Sequence, residues 1–183
     1  GGVHSSELLP TWTTTRTHER LDAHKASRRV TCTDPSTGLK MVVDITERYD
    51  FASVEWVVHF TQSGDVTTPI LENILPLSAH FGPADATESF SIYYGRGSHA
   101  EINDFAMQQT SIAPESSFAL SPYEGRSSDG ALPFVNIDYP GDSGVVLGVG
   151  WTGQWALEMS RPDSGPLLIN AGMERTHLRL NPS

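Results

Sequence analysis

The nine residues SVEWVVHFT at 53–61 alternate with a period of two, and that period commits the segment to an extended strand with one face turned inward. Val54, Trp56, Val58 and Phe60 point one way, while Glu55, Val57, His59 and Thr61 point the other. A core strand is expected here, with Trp56 in the buried stripe and not at a binding surface. The same period recurs in Met41, Val43 and Ile45 over 40–48. Between that run and 28–33 lies Asp34-Pro35-Ser36-Thr37-Gly38, with Pro and Gly where a tight turn takes them, so the two runs are expected to pair as a hairpin. No stretch carries a convincing amphipathic-helix pattern.

Further short strands are expected at 9–16, 70–77, 90–94, 117–120, 134–139, 145–151, 155–160, 167–171 and 177–180. The total, about eleven, exceeds a seven-strand immunoglobulin pattern, and regular spacing with turn signals marks an all-β fold. The expectation is an antiparallel β-sandwich, two large sheets packed face to face in a single domain spanning 1–183. With 16 Gly and 12 Pro, the composition suits strands joined by many turns.

A formal net charge of −10 argues against nucleic acid or an anionic membrane as partner, since both require a basic surface. The single cysteine, Cys32, rules out an intramolecular disulfide and a multi-cysteine metal site, and it reads as a small buried filler. No positively charged start runs into an apolar segment, and no stretch of about 18 apolar residues occurs, so neither a signal peptide nor a membrane span is read. This favours a cytoplasmic setting.

The stretch 144–177 carries the strongest functional signal, a Trp151-x-x-x-Trp155 pair inside strand and turn grammar. Flat indole faces pack on the C–H bonds of a pyranose, and Gln154, Glu158 and Arg161 supply polar neighbours for its hydroxyls. Core or edge packing is the competing reading for both rings. If Thr152-Gly153 is a two-residue hairpin turn, Trp151 lies opposite Gln154 and the indoles take opposite faces. If the strand runs straight on, the two rings share a face about 13 Å apart. Gly153 favours the hairpin.

Other motifs dissolve into backbone chemistry. Gly141-Asp142-Ser143-Gly144 spells a serine-protease nucleophile sequence, but a triad is recognised by geometry, and between two strand patterns these residues read as a turn. His99, Glu101 and Asp104 match no metal-ligand spacing, and no cofactor or metal is expected. Gly95-x-Gly97 lacks the helix a phosphate cradle needs. Two polar, glycine-rich loops, 95–107 and 121–130, are longer than a turn requires and are places where sites reside. Glycoside hydrolysis needs two opposed carboxylates, and no Asp or Glu here stands out from surface use, so no catalytic residue is assigned.

SSELLPTW at 5–12, TDPSTGLK at 33–40, VEWVVHFTQSG at 54–64, TPILENI at 68–74, GRSSDGALPF at 125–134, GWTGQW at 150–155 and AGMERTHLRL at 171–180 occur in that order. Together they resemble the N-terminal β-domain of bacterial α-galactosidase-like enzymes, glycoside hydrolase family 36 and its relatives. The resemblance implies a β-supersandwich that precedes a catalytic (β/α)₈ barrel in the same parent chain, in a retaining glycoside hydrolase whose catalytic pair lies on the barrel. It further implies a domain truncated at both ends here, and a non-catalytic accessory role that shapes the sugar cleft or an oligomer. The loop 125–134 is the first candidate for galactoside or oligosaccharide contact, with Arg126 and Asp129 as hydroxyl-binding groups and an internal Arg126–Asp129 clasp as the competing arrangement. A self-sufficient carbohydrate-binding module would instead expose at least one platform among Trp151, Trp155, Trp12 and Tyr94. An independent hydrolase would need two paired carboxylates in a cleft.

Overall fold

The computed structural model describes residues 2–182. Its elements in chain order are α1 (Ser5–Leu8), a 3-10 turn (Leu9–Thr11), β1 (Thr13–Arg20), β2 (Lys25–Thr33), β3 (Leu39–Arg48), β4 (Ser53–Gln62), β5 (Leu71–Glu72), β6 (Leu77–Phe81), β7 (Phe90–Arg96), β8 (Met107–Ile112), β9 (Ser116–Leu120), β10 (Ala131–Tyr139), β11 (Ser143–Gly148), β12 (Trp155–Arg161), β13 (Leu167–Met173) and β14 (His177–Leu178). The fold is all-β and antiparallel, with fourteen strands among the described residues where about eleven are expected. The chain divides into two compact units, one holding residues up to Leu71 and from Leu178 onward, the other Glu72–His177. No helix among the described residues is long and apolar enough to cross a membrane.

The first unit is a meander, β1-β2-β3-β4, each strand antiparallel to the next. The pairing of β2 with β3 is the expected hairpin. Its turn is closed by Asp34, whose Oδ1 accepts from the Ser36 amide at 2.9 Å and whose Oδ2 accepts from the Thr37 hydroxyl at 2.6 Å. Register sorts the side chains by parity. One face carries Cys32, Met41 and Phe60, then Val30, Val43 and Val58; the other carries Arg29, Asp44 and Val57 in one row. Among the described residues β4 is an edge strand, and it is not the buried core strand expected: Trp56, Val58 and Phe60 are half-buried, and Val54 is 53% exposed.

The second unit holds two four-stranded sheets, β11-β10-β7-β8 and β6-β13-β12-β9. They are layered face to face: Tyr94 of β7 meets Phe118 of β9 with ring centroids 5.0 Å apart, and Arg161 of β12 lies 4.8 Å from the centroid of Phe90 on β7. Between them Phe90, Ile92, Val135 and Ile137 face Trp155, Leu157, Met159 and Ile169, all buried. Removing each such side chain from water contributes about 1.5–3 kcal/mol. β10 and β12 alternate buried with more exposed residues as a half-buried strand must.

Several expected boundaries move. Residues 9–12 are not strand: His4 caps α1 by accepting from the Ser6 amide, and Pro10 starts the 3-10 turn, so the strand begins at Thr13. The run 70–77 breaks into β5 and β6, with Asn73 left-handed at φ 50° and Pro76 following. β8 begins at the last residue of the 95–107 loop and runs on to Ile112, where no strand is expected. Trp151 and Trp155 do not flank a hairpin, because β11 and β12 belong to different sheets and residues 149–154 cross between them.

Arg161 is wholly buried, and among the described residues no carboxylate pairs with it. Its guanidinium donates to the carbonyls of Glu88 (2.6 Å), Ile112 (3.3 Å) and Ala86 (2.8 Å). Arg161→Ala removes three hydrogen bonds to main-chain carbonyls and opens a void, so unfolding in urea is expected to show a loss of about 3–5 kcal/mol. Arg161→Met fills the space but not the hydrogen bonds, and its loss is expected to be smaller.

Candidate functional site

The loop 121–130 between β9 and β10 is folded on itself by backbone bonds: the Tyr123 amide donates to Asp129 O at 2.9 Å, and the Asp129 amide to Arg126 O at 3.1 Å. Gly130 takes φ 77°, and a Cβ there would lie 2.2 Å from the Tyr123 ring, so no other residue closes this turn without moving that ring. The neighbouring loop joins it where the Ser98 amide donates to Ser128 O at 2.9 Å. Gly97 sits beneath that contact, with an added Cβ placed 2.1 Å from Ser128 O.

The start of β12 and the residue before it pin this loop from below. Gln154 accepts from the Gly125 amide at 2.8 Å and donates to Pro122 O and to Glu174 Oε2, each at 2.6 Å. The indole of Trp155 is fully buried and its Nε1 donates to Ser127 O at 2.7 Å. Neither residue offers the sugar-facing surface expected of it: Trp155 has no free ring face, and Gln154 spends its amide on the loop. Trp151 is different. Its ring is 45% exposed and lies over Gly153.

The two loops line an open depression of about 420 Å³, formed by His99, Tyr123, Glu124, Arg126 and Asp129. Asp129 is its buried carboxylate. Arg126 Nη2 lies 2.5 Å from Oδ2, which is the internal clasp, and the same nitrogen is 3.4 Å from Glu124. His99 Nδ1 lies 2.9 Å from Oδ1 but off the line a hydrogen bond needs, so that buried oxygen has an electrostatic neighbour and no donor. The His99 ring also rests on Tyr123, centroids 5.1 Å apart. Arg126 and Asp129 are thus brought together as expected, and Tyr123, His99 and Glu124 join them unforeseen; only their place in the two long loops pointed to them.

Tyr94 packs inside the sandwich against Phe118, so it presents no platform. Trp12 is half-buried in the first unit, whereas the other named residues belong to the second. Gly141 and Asp142 form the β10–β11 turn, both with positive φ, as the turn reading required. Asp104 serves its own loop, accepting from the His99 and Ala100 amides and the Ser98 hydroxyl.

No family model matches this chain, and no curated protein sequence does. Solved structures do. A variant of the GH36 α-galactosidase AgaA from Geobacillus stearothermophilus, in complex with raffinose, superposes with a TM-score of 0.71 over 94% of this chain at 15% identity. AgaB from the same organism gives 0.71, 94% and 15%, and the α-galactosidase from Lactobacillus brevis gives 0.71, 93% and 14%. The chain has the fold of part of a GH36 α-galactosidase. It spans about a quarter of the length of those chains, 25–26%. The resemblance read from the motifs is met at the level of the α-galactosidase fold.

The site yields two expectations. Gln154→Ala removes three hydrogen bonds beneath the loop, and amide exchange at Gly125 is expected to accelerate with a stability loss of about 1–3 kcal/mol. The Asp104 carboxyl is held below its ordinary 3.8, first by the His99 amide and then by the Ser98 hydroxyl. A lowered folded value means its contribution is complete above the ordinary value and is lost as pH falls through the folded one. The His99 and Ala100 amide resonances are therefore expected to hold on acidification to pH 4 and to shift only below about 3.8.

Proposed function

We propose that this chain is a non-catalytic β-domain of a carbohydrate-active enzyme of the α-galactosidase type, packing on a catalytic (β/α)₈ barrel and lending loop 121–130 to the wall of its sugar cleft. The observation that carries the reading is the extent of the structural likeness: nearly all of this chain, and a quarter of α-galactosidase chains, one of them complexed with raffinose. The depression adds chemical support. A carboxylate and a guanidinium side by side suit vicinal hydroxyls, and Asp129 Oδ1 is an acceptor in need of a donor, which a sugar hydroxyl supplies once His99 swings aside.

The half-exposed Trp151 favours a second reading, a module that binds sugar unaided. Titrating the isolated chain with galactose, raffinose, galactomannan and unrelated glucans, followed by tryptophan fluorescence, separates the two. The accessory domain is expected to give no saturable change at about millimolar sugar. A saturable response to galactosides, lost in a folded Trp151→Ala variant, would replace it with the binding module. In the barrel-bearing protein, Arg126→Ala is expected to raise KM for a galactoside about three- to tenfold with kcat little changed.

A further inference from the structure

The outer edge of β4 is built differently from the other edge of its sheet. β1, at the far side, reads TTTRTHER and places Arg16, His18, Glu19 and Arg20 along an exposed strand, the charged kind of edge that resists pairing. β4 reads SVEWVVHFTQ over ten residues, with no Pro, Gly, Lys or Arg to blunt it. Among the described residues no further strand pairs with it. Its side chains at the edge are open to solvent: Val57 is 57% exposed, and the side chains of Glu55 and His59 are 62% and 54% exposed.

Charge is arranged in series on the polar face leading to that edge. Arg29 on β2 lies 2.5 Å from Asp44 on β3, and Asp44 lies 3.8 Å from His59 on β4. A second series runs from Arg48 on β3 to Glu55 on β4, 2.8 Å apart. One series ends at the edge on an imidazole and the other on a carboxylate. The two ends stand symmetrically on either side of Val57.

We propose that β4 pairs antiparallel with β4 of a second copy of this chain about a two-fold axis at Val57. Residues opposite each other across the axis are then Val57 with Val57, Glu55 with His59, and Ser53 with Thr61 on the polar face, and Val54 with Phe60 and Trp56 with Val58 on the apolar face. Both alternating series continue into the partner sheet, since an imidazole donates to a carboxylate, and the exposed Val54 gains an aromatic neighbour. Other registers lose this. Moving the axis to Glu55 or His59 sets like groups opposite each other, moving it to Trp56 or Val58 sets Glu55 or His59 against Val57, and a one-residue slip joins the polar face of one copy to the apolar face of the other. The pairing makes one continuous eight-stranded sheet, a closed isologous contact.

Light scattering on the intact chain is expected to show a species of twice 19.9 kDa. Under mild oxidation Val57→Cys is expected to form a covalent dimer. Ser53→Cys is expected not to, because its two copies lie eight residues off register, about 25 Å apart. Glu55→Ala removes the acceptor opposite His59 at both ends of the pairing and is expected to weaken the dimer about tenfold. A monomer at every concentration up to about a millimolar overturns the proposal. So does a dimer in which Val57→Cys fails to cross-link, or which Glu55→Ala leaves as tight as before.

Discussion

The guanidinium of Arg161 is the constraint on which the second unit depends. A charged group taken wholly out of water costs several kcal/mol, and no carboxylate lies against this one. Its compensation is main-chain: carbonyls from residues 86, 88 and 112, and the face of Phe90 beneath. Those carbonyls belong to the connection before β7 and to the end of β8, whereas Arg161 ends β12 in the opposite sheet. One side chain therefore ties both sheets and the segment that closes their end. The Gly165 amide donates to the same Ala86 carbonyl at 2.7 Å, so the β12–β13 turn is drawn to the same point.

A similar economy governs the candidate site. The residues that look most like sugar ligands in the sequence, Trp155 and Gln154, lie under the loop and hold it, while the loop presents Arg126, Tyr123 and Glu124 to solvent. Trp155 satisfies both needs of an indole at once, burying its rings in the core and giving its N–H to a loop carbonyl. The loop backbone is thus tied to the start of β12 at Pro122 and Ser127. This division also explains why the left-handed Gly130 and the close approach at Gly97 fall beneath the depression: main chain packs there where side chains would not fit.

What could be read from the residues follows from the range of the forces involved. The β2–β3 hairpin and the turn at Gly141–Asp142 rest on local backbone chemistry, and both were legible. The all-β class was legible from alternation alone. The separation of Trp151 from Trp155 was not, because nothing local states that β11 and β12 enter different sheets. Nor was the fate of Arg161, expected as a polar neighbour for sugar hydroxyls and instead wholly buried. Its burial depends on carbonyls more than forty residues distant. β4 misled for a related reason: strict alternation marks a strand that has an inside face, but says nothing about whether a further strand lies beside it.

Along the sequence, the second unit is an insertion in the first. The sheet β1–β4 leads into Thr68, whose amide and hydroxyl bond Leu180 on the returning chain, and everything from Glu72 to His177 lies between. Where the segment leaves and re-enters, the His177 ring meets Glu72 at 2.6 Å, so its two ends lie side by side. A body whose ends already meet can be lengthened, exchanged or removed without stretching its host, and closing a loop of that size costs little more than closing a short one. In synthesis from the ribosome, Leu180 follows the whole of Glu72–His177, so it reaches Thr68 only after the inserted unit has been made.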